Sequence, residues 1–276
     1  MNINEAITFV QGKLVSREHI VNVVVDTVIE DINALAQFIF DSCCATSKMT
    51  PTTGDYLWYN MTGIDYNGYY DKDSLQANIK FCFNYYSTSA EEDQATTAMN
   101  ILISQLNLDT LASPQRCKTL YEYLCNQCVY DLSLKTITWY NIDGSTSSKE
   151  IVRNSLYDVL VANKAVCQGF SNAMYRILNQ LGTPTRMVQG HEWYKNGLFV
   201  HCWNIIELSD RWYNTDITAG VHYVHDGLVG SGLNDWLLKN DADFAKNPVK
   251  YVRLMNFEKS SFVDTHPMSD TSYIFA

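Results

Sequence analysis

The sequence predicts an α+β protein in which a helix opened by a cysteine packs on an antiparallel sheet. Three observations carry this. From Phe170 onward the apolar residues Phe170, Ala173, Met174, Ile177, Leu178 and Leu181 recur at helical spacing, and Gly182 and Pro184 stop the helix just beyond. Residues 199–208 and 211–216 are aromatic and β-branched runs flanking a short polar turn, the pattern of a β-hairpin. The chain of 276 residues is 46% hydrophobic and 13% aromatic, with eighteen tyrosines and five prolines, the composition of a folded globular protein.

In chain order, residues 1–14 are a polar start without the basic and apolar regions of a signal peptide, and no run approaches the length of a membrane span. Residues 20–25 read as a strand and 31–45 as a helix. Asn67-Gly68 is a hairpin-turn signal inside an aromatic stretch, and residues 76–86 alternate cleanly as a strand. The first ~90 residues therefore read as a β-α-β-β unit by the period of their apolar positions. Asp65, Asn67, Asp71 and Asp73 do not have the spacing of a calcium loop and read as a solvated turn. Ser89 with Glu92 caps a helix to about residue 106, and Ser113-Pro114 opens another to about residue 129. We place the domain division at 1–110 for an N-terminal α/β region of strand, helix, hairpin and helix, and 111–276 for a second domain that holds the cysteine helix.

Eight cysteines in a chain this long are not a disulfide framework. Cys125 and Cys128 form a CxxC, but Cys117, Leu120, Tyr121, Leu124, Cys125 and Cys128 trace one helical apolar stripe, and no second CxxC accompanies them, so core packing is the expectation and zinc is not. Residues 136–143 read as a strand, Gly144 to Ser148 as a linker, and Ser155 as the cap of a short helix before the cysteine helix. Further on, His222 and His225 are expected in a loop, residues 233–238 in a short helix, residues 249–254 in a closing strand, and His266 in a polar tail.

Cys167 falls at the first turn of its helix, where unpaired N–H groups and the helix dipole favour a thiolate. In the hairpin that follows, His201 and Asp216 fall on one face, because side chains alternate with period two and either register of the short turn keeps their parity. A carboxylate could then hold one imidazole nitrogen while the other faces Cys167, the arrangement of a Cys-His-Asp nucleophilic enzyme. Asn204 points to the opposite strand face and is expected to be structural, as is Gln168.

Val166-Cys167-Gln168-Gly169, His201-Cys202-Trp203-Asn204 and Trp212-Tyr213-Asn214-Thr215-Asp216 together resemble the transglutaminase-like superfamily, here a bacterial-type cysteine peptidase domain. The likeness is specific over residues 156–219 and extends more weakly to Cys128-Val129-Tyr130-Asp131; Ala165 stands where a glycine is usual. The resemblance implies a papain-like core, with Cys167, His201 and Asp216 as catalytic residues. Tyr130, matched to the family's upstream tyrosine, is the implied oxyanion donor and Trp139 a weaker alternative. Peptide N-glycanases, which carry zinc-binding CxxC pairs, fit less well. The implied activity is hydrolysis of amide bonds in peptides or proteins through a thioacyl-enzyme; the alternatives are protein cross-linking by transamidation and a non-catalytic binding module. No cofactor and no metal are expected. The net charge of -10 disfavours nucleic acid and anionic membranes as partners, leaving a peptide or protein substrate. The free thiols point to the cytoplasm, and nothing in the sequence speaks to oligomeric state.

Overall fold

Helix formation begins with the second residue: Asn2 and Glu5 build a reciprocal capping box that starts α1 (Ile3–Val15). Then follow β1 (Ile20–Asp26), α2 (Ile32–Cys44), α3 (Asp55–Tyr59), β2 (Met61–Asp71), β3 (Gln76–Tyr85), α4 (Ser89–Gln105), α5 (Ser113–Gln127), β4 (Val129–Tyr130), β5 (Lys135–Tyr140) and β6 (Thr146–Ile151). The second half holds α6 (Leu156–Leu160), β7 (Lys164–Ala165), α7 (Cys167–Gln180), β8 (Thr185–Tyr194), β9 (Gly197–Leu208), β10 (Arg211–Thr215), α8 (Ile217–His225), α9 (Asp241–Phe244), β11 (Lys250–Arg253) and α10 (Ser261–Thr265). This computed structural model describes residues 1–45, 50–194, 197–228, 230–246, 250–253 and 261–275. Among them no helix is long and apolar enough to cross a membrane.

The chain forms two compact units, Met1–Ala90 with Leu134–Ile151, and Glu91–Ser133 with Val152–Ala276. This is a different division from one at residue 110. Ala98, Ile101 and Leu102 of α4 line a cavity of about 180 Å³ together with Tyr123 and Leu124 of α5 and Val159 of α6, so α4 packs within the second unit.

The first unit is built on an antiparallel sheet in the order β1-β3-β2. Val21, Val23 and Val25 alternate into its core, as their period of two requires. The unit is not the expected β-α-β-β: α1 precedes the first strand. Its apolar positions Ala6, Val10 and Leu14 are sparse, and the Asn2/Glu5 box was its legible signal. Nor do Asn67-Gly68 form a turn. They pair with Lys80 and Ile79 inside the ladder, and the chain reverses later, where the Asp71 carboxylate accepts from the N–H groups of Asp73 and Ser74. The glycine serves packing: a Cβ at Gly68 would lie 2.5 Å from the Asn78 carbonyl oxygen and 3.0 Å from Cγ1 of Ile32 on α2. Gly144 to Ser148 is likewise no linker: Gly144, at φ +92°, lies in the turn between β5 and β6, and residues 146–148 already pair with β5.

The second unit contains the four-stranded antiparallel sheet β10-β9-β8-β11, with α7 packed on β8 and β9. Asn204 makes that attachment, donating to the carbonyls of Ser171 at 3.0 Å and Arg186 at 3.2 Å, and the Ser171 hydroxyl donates to the Cys202 carbonyl. The expected structural role of Asn204 is what the structure shows. The apolar stripe on α5 is buried against α8, where Gly220 is required: a Cβ there would lie 2.4 Å from the Cys125 Sγ and 2.5 Å from the Tyr121 hydroxyl. Cys125 and Cys128 are buried core residues whose thiols face the carbonyls of Ile217 and Val159. Residues 222 and 225 lie in α8 rather than a loop, because the Asp216 side chain caps that helix. His266 is buried, stacked on Phe262 and 2.9 Å from an Arg186 Nη1, rather than in a polar tail. The expected closing strand is β11; residues 249 and 254 lie outside the described residues.

Candidate active site

Val166 caps α7 in extended conformation without a side-chain hydrogen bond, so no side chain competes for the helix N-terminus at Cys167. The approach is tight: a Cβ at Gly169 would lie 2.7 Å from the Ala165 Cβ and 3.2 Å from the Arg153 carbonyl oxygen. Cys167 is half-buried, whereas the other seven cysteines are buried.

The hairpin closes at the Leu208–Arg211 pair, with Ser209 and Asp210 at φ +52° and +61° as its two-residue turn. This register brings His201 and Asp216 together, with Nε2 of the imidazole donating to Oδ2 of the carboxylate at 2.9 Å. Both side chains are buried. The same Oδ2 accepts from the Tyr251 hydroxyl at 2.7 Å, and Oδ1 accepts from the Thr218 N–H at 2.8 Å, so Asp216 is fixed by three donors. Cys167 is a side-chain hydrogen-bond partner of the same imidazole, whose Nε2 is held by Asp216.

Burial alone would lower the imidazole pKa, but the charge and hydrogen bond of Asp216, with the Cys167 contact, raise it well above its ordinary value. Burial likewise pushes the Asp216 carboxyl up, and His201, joined by Tyr251, overrides it and holds the carboxyl below its ordinary range. Both directions describe one ion pair, with His201 protonated beside the thiol.

Tyr130 comes to the site through a parallel pairing of β4 with β7, in which Tyr130 lies opposite Ala165, two residues before Cys167. Burial, and then the charges of Cys167, Glu192 and Asp216, push its phenol pKa up, so it remains a neutral O–H donor. Its ring leans on His222 at 4.7 Å between centroids. Trp139 belongs to the first unit, where it lies over Gly63 and under the Lys149 ammonium.

Two residues of the site carry no sequence signal. Tyr251 looks like any strand aromatic, and Glu192 like any strand carboxylate, until β11 and β8 pair them across from each other and beside His201. Glu192 Oε2 lies 3.6 Å from His201 Nε2. Glu192, His201 and Asp216 offer ligand atoms within 4.8 Å of one another, a set that could hold a cation. We read it as a charge-paired dyad with a third carboxylate, since Nε2 and Oδ2 already satisfy each other at 2.9 Å.

A thiol at a helix N-terminus, hydrogen-bonded to an imidazole that a buried carboxylate orients, is the layout of a nucleophilic cysteine enzyme. The family model for the transglutaminase-like superfamily matches residues 104–217, a segment containing Tyr130, Cys167, His201 and Asp216. The chain is 23% identical over 203 residues to the Kyphoscoliosis peptidase of Mus musculus, covering 69% of this chain and 28% of that protein. Against the Kyphoscoliosis peptidase of Homo sapiens it is 22% identical over 172 residues, covering 59% and 24%. The chain thus spans about a quarter of the length of these relatives. Solved structures that it resembles include a TGase, with a TM-score of 0.34 at 14% identity over 75% of this chain and 56% of that one. Another is a candidate cysteine protease from Cytophaga hutchinsonii, with a TM-score of 0.35 at 13% identity over 70% and 77%.

The site predicts a labelling order. Iodoacetamide at near-neutral pH should modify Cys167 first, because burial pushes Cys43, Cys117 and Cys128 up to about 12 and raises Cys44 and Cys125 as well. Peptide mapping of a time course reads the order, and first reaction at any buried cysteine of the folded protein would refute it.

Proposed function

We propose that the protein is a cysteine peptidase or amidase that cleaves amide bonds of peptides or proteins through a thioacyl-enzyme, with Cys167, His201 and Asp216 as its triad. One observation carries the reading: Asp216 holds one nitrogen of a buried His201 while Cys167 hydrogen-bonds the same ring. The peptidase names of the relatives favour water as the final nucleophile.

In this mechanism the Cys167 thiolate attacks the amide carbonyl, and the oxyanion accepts hydrogen bonds from the Cys167 N–H and the Tyr130 hydroxyl. His201, protonated on both nitrogens, gives its proton at the ring's Cys167 side to the leaving amine as the C–N bond breaks, and the thioester remains. The neutral ring then takes a proton from water, whose oxygen attacks the thioester. Collapse releases the carboxylic acid and returns thiolate and imidazolium. Asp216 keeps its proton-free form throughout and stabilises the imidazolium. The chemistry calls for no cofactor. All eight cysteines are free thiols, which suits a reducing compartment such as the cytoplasm.

Mass spectrometry of a peptide library incubated with the protein in ¹⁸O-labelled water tests the proposal. New carboxyl termini carrying the label are expected. An amine adduct replacing them when a primary amine is added would make the protein a transamidating cross-linker, and no product from any peptide would favour a binding module.

A further inference from the structure

Glu192 is the charged group of the site that the acyl-transfer chemistry leaves unused. Its Cα partners are Phe199 on β9 and Tyr251 on β11, which puts its side chain on the sheet face that carries His201 and Tyr251. The side chain is 20% exposed, and its Oε2 lies 3.6 Å from His201 Nε2, beyond hydrogen-bond length. Among the described residues no hydrogen bond reaches this carboxylate, and no lysine or arginine pairs with it. Yet a largely buried carboxylate costs stability unless a donor or cation meets it.

His201 does not fill that role. Its single positive charge is already matched by Asp216 at 2.9 Å. With Cys167 as thiolate, the site holds three negative charges against one positive. Glu192 also lies near the nucleophile, since its charge and that of Cys167 both act on the Tyr130 hydroxyl. His222, the other basic group facing Glu192, is taken up by Asp226 at 2.6 Å.

We propose that Glu192 is a specificity residue that accepts a cationic side chain, lysine or arginine, flanking the scissile amide. The inference rests on the acyl-transfer reading and narrows it to basic peptide substrates. A substrate ammonium or guanidinium supplies the donors this carboxylate lacks, and it neutralises part of the surplus charge beside the thiolate.

The experiment compares kcat/KM, with the full chain, for peptides carrying lysine or norleucine at each position flanking the cleaved bond. The wild type should prefer lysine at one flanking position by on the order of tenfold. In Glu192→Gln that ratio should fall to near one, mainly through KM for the lysine peptide. Glu192→Asp should restore part of it, and Glu192→Lys should turn the preference toward glutamate over glutamine. A carboxylate acting only on fold or on His201 would slow both peptides alike and leave the ratio unchanged. A ratio near one in the wild type, or a ratio that survives Glu192→Gln, overturns the inference while leaving acyl transfer standing. If the wild type cleaves no peptide, the acyl-transfer reading fails and this inference with it.

Discussion

Replacing either Cys167 or His201 by alanine should reduce turnover by on the order of a millionfold, to the level of binding and oxyanion stabilisation alone. Without the sulfur there is no nucleophile. Without the imidazole the leaving amine has no proton donor and the thiolate loses its counter-cation. Because the two act as one unit, the double variant should be no worse than either single one. His201 is buried among Trp203, Tyr251 and Asp216, so its removal leaves a cavity and an uncompensated carboxylate. Circular dichroism and a melting curve must accompany the kinetics, and His201→Gln fills the space as a second variant. A folded Cys167→Ala protein that kept even one per cent of wild-type turnover would remove Cys167 from the mechanism.

The second large effect is at Asp216, where Asp216→Ala should cost on the order of 10³ to 10⁴ in turnover, less than loss of the nucleophile or base. The pH profile carries the mechanism. Asp216 raises the imidazole pKa, so the imidazolium form persists to higher pH in the wild type. With the carboxylate gone, His201 loses its proton at lower pH, and the alkaline limb of kcat/KM moves down. Cys167 labelling near neutral pH should slow in parallel. Asp216 also caps α8 through Thr218, so Asp216→Ala should lose about 1 kcal/mol of stability from the cap alone, beside the cost of leaving His201 and Tyr251 without their buried partner. Asp216→Asn, whose amide oxygen can still cap, separates the two roles: stability should largely return, the shifted pH profile should not. Wild-type turnover and labelling in Asp216→Ala would exclude it from the triad.

The site was more legible than the fold around it. A helix start places Cys167 and a hairpin parity pairs His201 with Asp216, both by local rules, whereas the meeting of the two depends on the packing of α7 on β8 and β9. Tyr130 needed a parallel pairing of two-residue strands, which no local pattern announces; the family likeness pointed to it instead. Glu192 and Tyr251 reach His201 only through the β8–β11 pairing, between segments nearly sixty residues apart. The misreadings share that origin. Asn67-Gly68 has turn chemistry but is claimed by the ladder, because the backbone of β3 and a side chain of α2 occupy the space a Cβ would need. His266 looked solvated in a polar tail, and only the fold shows Phe262, Trp212 and Arg186 closing around it.

Acyl transfer through Cys167 is tested most directly by stopping the reaction halfway. An activated ester incubated with the protein and quenched in acid should leave its acyl group as a thioester, and peptide mapping should find it on Cys167. The adduct should vanish in Cys167→Ala, fall to trace in His201→Gln, and release its acyl group on brief exposure to hydroxylamine, as a thioester does. An acyl group on any other residue, or a Cys167 adduct that forms equally fast in His201→Gln, would contradict the account.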